Sequence, residues 1–168
     1  DAQPNRAHLA LAKLERQGKL KAVITQNIDG LHQKAGSREV LELHGSVHRN
    51  YCTRCHKFYS LEEIMAQPGV PRCSCGGVIK LDQGVLNRAV RYIRQADMLI
   101  VGGTSLVVYP AAGLVDDYQG NRLVLINKSV TPLDSRADLV INGSIGDALE
   151  AAVSSVITGG YDVSGSRR

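Results

Sequence analysis

Leu20-Lys21-Ala22-Val23-Ile24-Thr25 runs without a break into Gln26-Asn27-Ile28-Asp29-Gly30. The β-branched centre at Val23 and Ile24 is a strand signal, and the polar stretch closed by glycine at its carboxyl end is a turn. The same grammar recurs downstream. Met98 to Val101 reads as a buried strand ending in Gly102-Gly103-Thr104-Ser105, and Leu123 to Ile126 as a strand ending in Asn127-Lys128-Ser129. Asp138 to Ile141 reads as a further strand, while Leu41 to Val47 is either a short strand or a turn around His44-Gly45.

Helical periodicity fills the intervals. Asn5 to Gln17 places Ala7, Leu11 and Leu14 on one face, with Pro4 suited to its first turn and Gly18 to its end. Asp82 to Gln95 sets Leu86, Ala89, Val90 and Ile93 on one face, and a further helix is expected from Tyr109 to Tyr118. The last helix starts near Ser144, which with Asp147 resembles a capping box. Its apolar face is Ile145, Leu149, Ala152, Val153 and Val156, and from Thr158 a Gly/Ser-rich tail is expected to fray. Alternating strands and helices imply an α/β fold with a parallel sheet covered on both faces. Ligands then bind outside the carboxyl ends of the strands, so the turns at Gln26, Gly103 and Asn127 are expected on one rim.

Composition fits this. Aromatics are sparse, with one Phe, six Tyr and no Trp, so the core must come from aliphatic residues. The net charge of +4 is scattered, densest at Lys13, Arg16, Lys19 and Lys21. A nucleic-acid surface requires tighter clustering and stacking aromatics, so nucleic acid is not an expected partner. No apolar run reaches the roughly 20 residues that span a bilayer. With no signal peptide, the expected location is cytoplasmic, where paired cysteines more often hold metal than form disulfides.

The four cysteines are Cys52, Cys55, Cys73 and Cys75: two close pairs with 17 residues between them. Two such pairs can converge on one tetrahedral zinc, and four thiolates leave no open position, so the metal is expected to be structural. His56 adjoins the first pair and is expected to be merely exposed.

Thr25-Gln26-Asn27-Ile28-Asp29-Gly30-Leu31-His32, Leu43-His44-Gly45-Ser46, the cysteine pairs, Gly103-Thr104-Ser105-Leu106 and Asn127-Lys128-Ser129, in that order, resemble the sirtuin family. The resemblance covers roughly residues 3 to 153. It implies a Rossmann-like large domain (residues 1–47 and 81–157), a small zinc-binding module (48–80) and a flexible tail (158–168). It also implies NAD as cofactor, one structural zinc, acylated lysine in protein substrates, and acyl transfer to ADP-ribose with release of nicotinamide. By motif match His44 is the general base, with weaker claims for His48 and His32. Asn27 is the second catalytic residue. The cofactor-binding set is Gln26, Asn27, Ile28, Asp29, Gly103, Thr104, Ser105, Asn127, Lys128, Ser129 and Ile145.

Two departures accompany the resemblance. The chain opens on Asp1, at the helix preceding the Gln26 turn, without the family's first strand, its Gly-Ala-Gly-type phosphate loop or its Pro-Asp-Phe-Arg signature. After the cysteine block, Lys80 passes directly to Leu81-Asp82-Gln83, without the aromatic-Gly-Glu stretch that walls the acyl-lysine tunnel. A chain truncated in these ways is expected to bind NAD weakly and turn over little. That leaves a zinc- and nucleotide-binding module as the alternative, with ADP-ribosyl transfer as a related chemistry and a zinc-dependent nucleic-acid binder as a third reading.

Overall fold

The computed structural model describes residues 2–81 and 84–158. The expectations for Asp82, Gln83 and the tail 159–168 lie outside that range, as does the side chain of Val156.

The chain opens with α1 (Arg6–Arg16), followed by β1 (Val23–Thr25), the single turn α2 (Leu31–Lys34) and β2 (Val40–Glu42). An antiparallel unit follows: β3 (Asn50–Cys52), β4 (Phe58–Tyr59), α3 (Leu61–Met65) and β5 (Ile79–Leu81). Then come α4 (Leu86–Arg94), β6 (Leu99–Gly102), α5 (Ala111–Leu114), β7 (Leu123–Asn127), β8 (Leu139–Asn142) and α6 (Ile145–Thr158).

Local chemistry explains several boundaries. Asn5, not Pro4, caps α1: its side chain accepts from the His8 backbone while the His8 ring receives the Asn5 N–H. Ser60 and Glu63 form the matching reciprocal cap on α3. The helix expected over 109–118 is broken in two, with α5 beginning only after Pro110 and Val115–Asp117 tightening into a 3-10 turn. Proline has no N–H to give and suits only a helix start.

Two parallel sheets replace the single one expected. β1 pairs with β2, and β6-β7-β8 form a second sheet, with no strand-to-strand hydrogen bonds joining the two among the described residues. The period of two in β7 divides the core. Val124 and Ile126 face α1 and α6, packing with Ala7, Ala10, Leu149 and Val153. Leu123 and Leu125 face Leu106, Val115 and Val140. A third cluster joins Leu41 and Leu43 to Ala89 and Ile93 of α4 and Leu114 of α5. Both faces of β7 itself are thus covered, as the α/β pattern requires, while Ile100 and Leu139, which flank Val124 on β6 and β8, are exposed. Leu86 and Ala152, placed by periodicity on apolar faces, are exposed instead.

The cysteine-bearing unit is a sheet of order β4-β3-β5, and none of its strands was expected from the sequence. They are only two or three residues long, and its core is little more than Cys52, Tyr59, Cys73 and Ile79. No described helix is long and apolar enough to cross a membrane.

Candidate functional site

The three polar turns do share one rim, and they are wired together. Thr104 Oγ1 donates to Gln26 Oε1 at 3.2 Å, and Gln26 Nε2 donates to the Val108 carbonyl at 3.3 Å. Asn127 uses both ends of its amide on the Thr104 backbone, accepting from N at 3.1 Å and donating to O at 2.8 Å. Gln26 and Thr104 thereby connect β1 to β6 at their carboxyl ends where no ladder does, and Asn127 connects β6 to β7.

The residues singled out in the sequence fall into two adjoining clefts rather than one. The first, of about 460 Å³, is lined by Gln26, Asn27, Ile28, Asp29, His44 and Leu81. The second, of about 560 Å³, holds Gly103, Thr104, Ser105, Asn127, Lys128, Ser129 and Ile145, together with Asn5 and Arg6 from the start of α1. The Gln26–Thr104 hydrogen bond runs from one cleft to the other.

In the first cleft His44 Nδ1 lies 3.1 Å from the Gln26 carbonyl oxygen. A carbonyl only accepts, so Nδ1 carries the proton and Nε2 is left as the basic nitrogen. His44 follows β2 and is turned into place by the Gly45 backbone, whose φ of 83° lies in the left-handed region. Asn27 is exposed at the cleft, its N–H held by Thr25 Oγ1 at 3.1 Å. Asp29 Oδ1 accepts from the Leu31 N–H at 3.0 Å, which starts α2.

Beneath the turn, the His8 and His32 rings meet at a tilt of 59° with centroids 4.5 Å apart. Burial first, then the neighbouring His8, holds the His32 imidazole down at about 4, with Asp29 opposing. Burial also lowers His8. His32 therefore belongs to the packing under the site, while His48 reaches the turn from the other side: a Cβ on Gly30 would meet its Cδ2 at 3.1 Å.

In the second cleft, backbone approaches backbone closely. A Cβ on Gly102 would lie 2.5 Å from Ile145 Cδ1 and 2.9 Å from the Ile126 carbonyl oxygen, so glycine is what lets the β6 end sit against α6. Gly103 follows at φ 65°, and Thr104 Oγ1 accepts from the N–H of Leu106. Asn5, Arg6 and Leu81 were not foreseen as cleft residues. Asn5 was legible only as a helix start, and nothing in the spacing of Leu81 marks it.

The four cysteines converge. Their sulfurs all lie within 4.8 Å of one another, with the Cys52–Cys75, Cys55–Cys73 and Cys55–Cys75 pairs at 3.5 Å. No pair is a disulfide. Zinc–sulfur bonds of about 2.3 Å in a tetrahedron put sulfurs about 3.8 Å apart, so the cluster has the size of a four-thiolate zinc site. A backbone hydrogen bond from Cys75, then one from the Tyr59 side chain, holds the Cys73 thiol down at about 5. At Cys55 a backbone bond at Lys57 pulls the thiol down, but the crowding sulfurs of Cys73, Cys75 and Cys52 push it up to about 11. Four cysteine sulfurs this close together offer a complete ligand set for one metal ion. His56 is exposed beside them, as expected.

Comparisons with known proteins identify the family. The model of the Sir2 family matches residues 1–110. An NAD-dependent protein deacetylase of Clostridium acetobutylicum is 56% identical over 164 residues, covering 91% of this chain and 67% of that protein. One from Clostridium perfringens is 59% identical over 160 residues, covering 89% of this chain and 66% of its own length. The chain thus spans about two thirds of these relatives. Among solved structures, a Sir2 homologue–NAD complex superposes with a TM-score of 0.82 at 42% identity, covering 94% of this chain and 66% of that one. A Sir2 bound to acetylated peptide gives 0.82 at 40%, covering 93% and 72%. On the family match, the identity to these relatives and the shared fold, the chain belongs to the Sir2 family.

Proposed function

We propose that this chain carries the NAD- and acyl-lysine-handling core of an NAD-dependent protein deacylase. The observation that carries the reading is the meeting of His44 with the Gln26–Asp29 turn in one cleft, joined through Gln26 to the glycine-lined second cleft. The donor set suits a dinucleotide. The second cleft offers close backbone approach at Gly102 and Gly103 with the hydroxyls of Ser105 and Ser129 and the ammonium of Lys128, for the adenosine half. The first offers the Asn27 amide and the Asp29 carboxylate, for ribose and carboxamide.

Bound NAD supplies an electrophilic ribose carbon as nicotinamide departs, with the acyl oxygen of the lysine side chain as the entering group. The chain's own part is to hold the two ligands together and to accept a proton. His44 does the latter at Nε2, since its Nδ1 proton is committed to the Gln26 carbonyl. The proton that His44 accepts would come from a ribose hydroxyl of the bound NAD. One zinc held by Cys52, Cys55, Cys73 and Cys75 fastens the small module structurally, and the cytoplasm is a compartment that keeps such thiols reduced.

The test uses the zinc-loaded chain with NAD and an acetyl-lysine peptide, with mass spectrometry for O-acetyl-ADP-ribose and a His44→Ala sample beside it. Product from the parent alone supports the reading; no product from a folded, zinc-bound parent overturns it. A second reading, a nucleotide- and zinc-binding module without turnover, is favoured by one observation. No ladder joins β1 to β6 among the described residues, so the two clefts are aligned by the side-chain bonds of Gln26.

A further inference from the structure

Glu42 is the last residue of β2, two positions before His44, and its side chain is 1% exposed. A buried carboxylate needs a compensating partner. Here neither oxygen accepts an aligned hydrogen bond from a described residue, and the contact made is by charge: Arg49 Nη2 lies 2.8 Å from Oε2. Arg49 is the residue immediately before β3, the strand that ends in Cys52.

The turn between these two residues touches the cofactor-binding stretch twice more. The Val47 N–H donates to the Ile28 carbonyl at 3.1 Å, and the His48 ring lies against Gly30. The turn is closed on itself by the Arg49 N–H to the Ser46 carbonyl at 3.0 Å, and Ser46 is 1% exposed. Both ends of the segment carrying His44 are therefore pinned: one by the Leu43 N–H to the Thr25 carbonyl at 2.8 Å, the other by the Glu42–Arg49 pair.

We infer that Glu42 and Arg49 are positioning residues, an ion pair of a buried carboxylate and a part-exposed guanidinium that fastens the His44 turn and the root of the cysteine module to the Gln26–Gly30 turn. A surface pair of the same geometry contributes little, but removing one partner here leaves a carboxylate with no other cation in contact among the described residues, in a place water does not reach. The role assigned to His44 rests on the function proposed above; the fastening itself does not.

The experiment compares the zinc-loaded parent with Arg49→Ala, Glu42→Gln and Arg49→Lys by amide hydrogen exchange and by the NMR signal of the His44 Cε1 proton. Loss of the pair should speed exchange at Val47 and Leu43 by at least about tenfold and move the His44 signal. Leu125 and Ile126, in the sheet core, should keep their protection and the zinc content should stay that of the parent. Arg49→Lys, which retains the charge, should restore most of the Val47 protection. Unchanged exchange at Val47, or faster exchange spread evenly to Leu125, overturns the inference. Where the parent turns over, Glu42→Gln should lower deacylation more than nicotinamide exchange into NAD, because only the later step needs a placed base; equal losses also count against it. A parent that does not turn over defeats the proposed function while the exchange measurement still decides this one.

Discussion

Thr104 donates its hydroxyl proton to Gln26 across 3.2 Å, and this bond spans a seam that no β-ladder crosses among the described residues. Gln26 sits just past the end of β1 and Thr104 just beyond β6, so this side-chain amide ties the two clefts together above the apolar packing of Ile24 and Leu99. A ligand long enough to occupy both must find them already in register.

Replacing Thr104 with Val keeps the shape and removes the donor. Each such bond contributes about 1 kcal/mol, so ADP-ribose, which would bridge both clefts, should bind about fivefold more weakly. Adenosine, which would need only the second cleft, should be little affected. Calorimetric titration of both ligands against the parent and the variant reads the difference.

On the proposed mechanism, His44→Ala should remove the base without removing the pocket. Acyl transfer should fall by about a hundredfold to ten-thousandfold. Nicotinamide exchange into NAD, which precedes the base's work, should survive in the variant. Radiolabelled nicotinamide exchange measured beside product formation separates the two steps.

Chelation of the metal, or Cys73→Ser, should melt the antiparallel unit first. Its apolar core is small, and sites of this kind draw most of their folding energy from the ion. Amides of Asn50–Cys52 should lose protection while Leu123–Asn127 retain theirs. Metal analysis should give one zinc per chain before chelation.

Acid should weaken the packing under the Gln26 turn. The folded-state value of His32, about 4, lies below its usual 6.5, so the unfolded chain takes up the proton first. The stabilisation is complete above pH 6.5 and is lost as the pH falls toward 4. Urea unfolding from pH 7 to 4 should show the slope, and His32→Gln should flatten it relative to the parent, which separates this contribution from protonation of the cysteines.

Gly102→Ala should destabilise by about 1–3 kcal/mol, because the added carbon meets Ile145 and the Ile126 backbone and only the former can yield. The melting temperature should drop by roughly 2–4 °C per kcal/mol. Thermal unfolding followed by circular dichroism checks it.

How much of this was legible depended on what each feature needs. The strand-then-polar-turn grammar at Val23–Asp29, Leu99–Ser105 and Leu123–Ser129 is local, so the rim and most cleft residues could be read directly. The cysteine pairs were legible for the same reason: four ligands at short spacing leave few alternatives. The strands β3, β4 and β5 were not, since stretches of two or three residues carry no period and are held by long-range pairing and by the sulfurs. The division into two sheets was hidden too, because periodicity marks a strand without saying which strand lies beside it. Nothing in the sequence marks Glu42; only burial and the approach of Arg49 distinguish it.

The pairing of Asn50 with Leu81 has a mechanical consequence. The chain leaves for its cysteine-bearing excursion and returns from it on adjacent strands, so both crossings lie at one narrow neck. An excursion rooted this way behaves as a cassette. Its outer parts can lengthen, shorten or change in sequence without altering the path of the remaining chain, while its root stays tied to the body through Val47, His48 and Arg49.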